Sequence, residues 1–210
     1  MKRVCIFDFD GTIIDSMEEF ADIAADVLNK HFGMRKELAR KEYIKTSGLP
    51  FHDQIEIIHP KDARNSAAVN EYEETKKKTY LSKKPFDDAE STITRLKNSG
   101  IKTVVSSNNF QELVDDLINK TAIKFDMVLG WRKNFSKGRD HFEHVRKTFD
   151  CKPEDMTFIG DSLKDADRAK EYGINFIGKT GTFNAIDFEK HCGKVPTINA
   201  LNDLIKTLQL

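Results

Sequence analysis

Asp8 and Asp10 stand two residues apart directly after the apolar run Val4-Cys5-Ile6-Phe7, and Gly11 and Thr12 follow at once. At the end of a strand, residues two apart project to the same side. Two carboxylates held that close repel unless a cation lies between them or one keeps a proton. Both conditions suit phosphoryl transfer. One carboxylate can attack phosphorus and form an acyl phosphate. The other carboxyl can protonate the leaving oxygen and later deprotonate the attacking water. Gly11 permits a tight turn, and the backbone N–H groups around Gly11 and Thr12 can form an anion-binding nest.

Two further polar clusters follow apolar runs. Ser106-Ser107-Asn108-Asn109 follows Ile101 to Val105, and Gly160-Asp161-Ser162 follows Met156 to Ile159. Asp161, together with Asp8, offers oxygen ligands to Mg²⁺, whose octahedral shell is otherwise filled by water and a phosphate oxygen. Ser107 and the N–H of Asn108 are expected at the start of a helix, where phosphate binds well. Lys137, ahead of the helix leading to the fourth strand, could reach the nucleophile and the phosphoryl oxygens and balance their charge.

The elements that must position these groups alternate strand and helix. Val4–Phe7 reads as a buried strand, and Ser16 with Glu19 as a capping box for a helix to about His31. Residues 16–84 are rich in Lys, Glu and Ala, and Gly48-Leu49-Pro50 breaks the helical pieces, so this region is expected to be a helical insert. After Pro85 the pattern becomes helix from Asp87 to Ser99, strand, helix, strand Met127–Leu129, helix Asp140–Phe149, strand, helix Lys164–Tyr172, strand Ile174–Ile177 and a last helix Asn199–Leu208. Such alternation predicts an α/β fold, a Rossmann-like parallel sheet covered on both faces. The core would comprise residues 1–15 and 85–210 and the inserted cap 16–84. In such sheets ligands bind beyond the carboxyl ends of the strands, where all three clusters fall. Alone, each Asp-Gly cluster could be a surface turn or a helix cap. Their joint occurrence, in order and at strand ends, argues for a site.

Composition sets limits. Lys plus Arg number 34 and Asp plus Glu 34, so a net charge of +0 gives no general attraction to nucleic acid or an acidic membrane. No run approaches the ~18 apolar residues of a membrane helix. The N-terminal residues begin like a signal peptide, but Asp8 and Asp10 interrupt the apolar run. Cys5, Cys151 and Cys192 lack metal or disulfide spacing, so reduced, buried thiols and a cytoplasmic location are expected. His141 and His144, one helical turn apart without an acidic partner, are expected on a solvated or core-edge face. Phe110, Phe125, Phe135 and Phe142 are expected to serve packing.

Asp8-x-Asp10-Gly11-Thr12 resembles motif I of the haloacid dehalogenase (HAD) superfamily. Thr103-Val104-Val105-Ser106-Ser107-Asn108 resembles motif II, Lys137 the motif III lysine, and Gly160-Asp161-Ser162-x-x-Asp165 motif IV. The insert resembles the helical cap of the phosphoglycolate phosphatase and β-phosphoglucomutase subgroup. The resemblance implies Asp8 as nucleophile, Asp10 as general acid/base, and Mg²⁺ on Asp8, the carbonyl of Asp10 and Asp161, with Asp165 a ligand or a partner behind one. Ser107, Asn108 and Lys137 would hold phosphate, and His52, after the cap break, would touch substrate. Lys137 is followed by Gly138 where many relatives have proline, and the doublet Ser106-Ser107 leaves motif II open by one residue.

The implied activity is hydrolysis of a small phosphorylated metabolite by a monomer or homodimer. Asp10 argues against dehalogenation, since a halide needs no general acid. Phe20 stands where mutases of the β-phosphoglucomutase type carry a histidine. A regulatory module that kept the fold would need no general acid.

Overall fold

The computed structural model describes residues 3–210, which divide into two compact units, residues 3–15 with Lys84–Leu210 and Ser16–Lys83. In chain order, β1 (Val4–Phe7) leads to four helices, α1 (Met17–Phe32), α2 (Lys36–Lys45), α3 (Phe51–Ile58) and α4 (Asn65–Tyr80). Then come α5 (Ala89–Asn98), β2 (Lys102–Phe110), α6 (Gln111–Asn119), β3 (Met127–Trp131) and α7 (Arg139–Phe149). The chain ends with β4 (Met156–Gly160), α8 (Leu163–Tyr172), β5 (Asn175–Lys179), α9 (Ala185–Cys192), β6 (Thr197–Ile198) and α10 (Asp203–Thr207).

The first unit is built on a six-stranded sheet of order β3-β2-β1-β4-β5-β6, parallel throughout. β1 is central and all four of its residues are buried, as a strand covered on both faces requires. One core cluster joins Val4 and Ile6 to Val104, Phe142, Met156 and Phe158, and the Phe142 and Phe158 rings meet edge to face at 5.0 Å. Such pairs add to the apolar burial. The chain leaves and re-enters this unit through adjacent segments. Ile14 and Pro85 form an antiparallel bridge, with Asp15 N–H donating to the Lys84 carbonyl and Phe86 N–H to that of Ile13, each at 3.0 Å.

In the second unit α1 packs on α2 and α4, and α3 on α4. Gly33, at φ 68°, ends α1 in the left-handed conformation that glycine adopts without strain. The Phe51 and Tyr72 rings stack at 4.0 Å, and the Tyr43 and Tyr72 hydroxyls share a buried hydrogen bond of 2.8 Å.

Several sequence expectations are corrected. Ser16 makes no side-chain capping bond, and the Glu19 carboxylate turns to Lys83 and Thr79 and not back to the helix start. β2 runs on through the polar cluster to Phe110, so Asn108 lies in a strand and not at a helix start. The expected final helix Asn199–Leu208 shrinks to the short α10, and neither α9 nor β6 was foreseen. Phe110 is not a core residue: it is 56% exposed and packs edge to face on Trp131. His141 is fully buried, against the expected solvated or core-edge place. All three cysteines are free, with Cys5 and Cys151 buried and Cys192 half-buried. Among the described residues, no helix is long and apolar enough to cross a membrane.

Candidate active site

The site forms where β1, β2 and β4 end. Asp8 follows β1, and its N–H donates to the Ile159 carbonyl of β4 at 2.8 Å, which fixes the backbone before the side chain is considered. The chain then folds tightly back: the N–H groups of Ile13 and Ile14 both donate to the Phe9 carbonyl, and Gly11 takes φ 74°. A residue with a Cβ would be strained there. Thr12 is fully buried at this turn, and its hydroxyl has no hydrogen-bond partner.

Lys137 enters from the turn before α7. Its Nζ lies 2.6 Å from Asp8 Oδ1 and 2.7 Å from Asp165 Oδ1. Burial pulls the ammonium down, but Asp165 and Asp8 outweigh it and hold Lys137 above the usual lysine value. Gly138, at φ 106°, supplies the backbone bend between this lysine and α7.

Asp161 and Asp165 come from the β4–α8 turn. Oxygens of Asp8, Asp161 and Asp165 all lie within 4.8 Å of one another. Burial, with the repulsion of Asp165, pushes Asp161 up to about 6, and burial also raises Asp8 well above the carboxylate range despite Lys137. Asp165 behaves oppositely: burial raises it, but Lys137, Arg168 and Ser162 outweigh that and hold it low. Its Oδ1 accepts from Lys137 and from Arg168 at 3.2 Å, and its Oδ2 accepts from the Ser162 hydroxyl at 2.7 Å and backbone N–H at 3.3 Å. A carboxylate has about four lone-pair sites, so those of Asp165 are taken up by the protein itself.

Lys137 pairs with Asp8 and Asp165, Arg168 pairs with Asp165, and Lys179 acts on Asp161 through its charge alone. Asp8 and Asp161 thus bring buried carboxylate oxygens together as an all-oxygen donor set. That donor set suits a hard divalent ion such as Mg²⁺, which would restore both carboxylates to their ionised form.

β2 brings up the remaining groups. Ser107 is buried, and its Oγ accepts from the Asn109 N–H at 3.1 Å, which leaves its own proton free to donate. Asn109, a residue sequence reasoning did not single out, donates through its side chain to Asp10 Oδ2. Thr182, in the turn after β5, likewise escaped notice and donates to Asp161. It sits in the small polar run Lys179-Thr180-Gly181-Thr182 at a strand end, the same signal that marked the other clusters. His52 lies in the other unit, exposed as the second residue of α3 and 3.3 Å from Asp53.

Comparison with known proteins bears on the family and the fold. Residues 5–179 match the family model described as "Haloacid dehalogenase-like hydrolase". A phosphoglycolate phosphatase of Aquifex aeolicus is 28% identical over 220 residues, covering 98% of this chain and 96% of its own. One from Neisseria gonorrhoeae is 24% identical, over 97% and 92%. Among solved structures, a predicted phosphatase from Clostridium acetobutylicum superposes with a TM-score of 0.82 at 25% identity, over 100% of both chains. A hydrolase from Pseudomonas syringae gives 0.82 at 15% identity, over 100% and 98%, which speaks for the fold alone.

Proposed function

The chain belongs to the haloacid dehalogenase-like hydrolase family, and from that premise we propose that it is a magnesium-dependent phosphatase. It hydrolyses a small phosphate monoester through an aspartyl phosphate on Asp8. The observation that carries this reading is the buried Asp8 carboxylate, paired at 2.6 Å with Lys137 and set beside Asp161 at the ends of β1 and β4. The similarity to phosphoglycolate phosphatases along nearly the whole chain supports a small phosphorylated substrate.

Asp8, the Asp10 carbonyl and Asp161 would hold Mg²⁺, while Asp165 holds Lys137. The ion supplies charge that offsets repulsion between the carboxylate nucleophile and an anionic substrate. Lys137, Ser107, Asn108 and the backbone around Gly11 and Thr12 bind the phosphoryl oxygens. Asp8 attacks phosphorus, the ester P–O bond breaks, and Asp10 gives its proton to the leaving oxygen. Asp10, now ionised, takes a proton from water, whose oxygen attacks the acyl phosphate. Orthophosphate leaves and Asp8 is restored.

The test is phosphate release from a panel of small phosphomonoesters, phosphoglycolate first, with Mg²⁺ or EDTA, for the wild type and Asp8→Asn. Release that needs the metal and disappears in the variant supports the reading. Turnover by Asp8→Asn equal to wild type rules out the covalent step.

A further inference from the structure

Ser106 Oγ lies 2.9 Å from His141 Nδ1, and both residues are fully buried. None of the steps above uses either. Ser106 directly precedes Ser107 near the end of β2, and His141 is in the first turn of α7, four residues after Lys137. Their bond therefore ties the strand bearing the phosphate-binding hydroxyl to the turn bearing the buried lysine.

The pair is not a second catalytic dyad. With no exposed surface, neither group can meet a substrate. The ring is also a poor base, since burial and the nearby Lys137 ammonium push His141 down to about 3. Phe135 packs on the imidazole at a centroid distance of 4.6 Å, and Nε2 has no well-formed hydrogen bond.

Stability does not account for the pair either. A buried polar pair gains only modestly beyond its own desolvation, and two apolar side chains of similar shape can replace one at little loss. Position is what an apolar pair cannot supply. Lys137 has to sit within hydrogen-bonding reach of Asp8 and Asp165 at once, and a site of this kind tolerates only about 0.5 Å of play. The loop before it is held on one side by Asp140, which accepts from the Ser136 N–H at 2.9 Å and hydroxyl at 3.1 Å. Ser106 holds the other side through His141.

We infer that the Ser106–His141 hydrogen bond is a positioning device that sets Lys137 and Ser107 in register with each other. Its kinetic consequence rests on the phosphatase reading, while its geometric consequence does not.

The experiment compares Ser106→Ala, His141→Leu, the double variant and His141→Asn with the wild type. It measures Tm, kcat and KM for the best phosphomonoester, inhibition by orthophosphate, and the rate at which an amine-acylating reagent labels Lys137, read by peptide mass spectrometry. Each single variant leaves one buried polar group unpaired and lowers Tm, whereas the double variant recovers it. Activity follows a different pattern. Both singles and the double lose about 10- to 100-fold in kcat/KM, the loss expected when a binding group moves by about an ångström. KM and the orthophosphate inhibition constant rise together, and Lys137 is labelled several times faster. His141→Asn, whose side-chain oxygen can lie where Nδ1 lies, stays near wild type. A double variant with wild-type KM and labelling rate overturns the inference, and so does activity that recovers together with Tm. If the wild type hydrolyses no ester, the phosphatase reading fails, and the Lys137 labelling rate alone decides the inference.

Discussion

Asp165 accepts from Lys137, Arg168 and Ser162, so its task is to hold cations of the protein, while Asp161, also buried, accepts from Thr182 and lies beside Asp8. The two carboxylates of one motif should therefore separate experimentally. Asp161→Asn, which removes a proposed ligand, is expected to weaken Mg²⁺ activation by at least the roughly 10- to 100-fold that follows loss of a group behind a metal ligand. Asp165→Asn should lower kcat by a similar factor while the Mg²⁺ concentration for half activation changes little. A magnesium titration of both variants checks this. Asp10→Asn should cost most with alkyl leaving groups and least with nitrophenolate, because a good leaving group needs no proton. His141 gives a prediction about pH. Its folded value of about 3 lies below the 6.5 of the free side chain, so between those values the unfolded chain binds the proton and the folded one does not. Its contribution therefore favours unfolding as pH falls from about 6.5 toward 3. Stability curves of wild type and the Ser106→Ala/His141→Leu double variant should diverge in that window, with the wild type losing more.

Among the elements, the β4–α8 turn is the most tightly built. A Cβ on Gly160 would meet Asp165 Oδ2 at 2.6 Å and Asp165 Cβ at 2.7 Å, and both are backed by a buried network. Gly160→Ala should displace Asp165 from Lys137, cost about 1–3 kcal/mol as overpacking does, and lower kcat; thermal unfolding and turnover check it. This turn was legible in the sequence because its determinants are local: an apolar run, Gly160-Asp161-Ser162, and Gly173 closing α8 at φ 80°. The same holds for β1 and its Asp8–Thr12 turn. β2 was read too short because what holds Ser106 to Asn109 in the strand is remote, namely pairing with β3 across a register shift and the bond from Asn109 to Asp10. The Ser16–Glu19 signature misled for a related reason, since Lys83 and Thr79, more than 50 residues away, claim the carboxylate. β6 has only two residues and no periodicity to read. The approach of Lys137 to Asp8 across 129 residues could be expected from motif order, but the saturation of Asp165 and the Ser106–His141 bond needed coordinates.

For the molecule as a whole, the proposed reading implies that the folded state, which brings Asp8 and Asp161 together, binds Mg²⁺ better than the unfolded chain. Added Mg²⁺ should raise Tm, equivalent to about 2.7 kcal/mol at a hundred times its dissociation constant, and Asp161→Asn should abolish most of that rise; differential scanning calorimetry with and without EDTA measures it. Another consequence follows from the way the chain leaves the sheet unit and returns to it. Asp15 and Lys84 are hydrogen-bonded neighbours in an antiparallel pair, and such a pair can be closed by two residues in a tight hairpin. The 68 residues from Ser16 to Lys83 thus occupy a place in the gene that an Asn-Gly dipeptide could fill without moving either end. The sheet unit in this sense carries a socket, two neighbouring chain ends whose own backbone pairing does not depend on what is spliced between them.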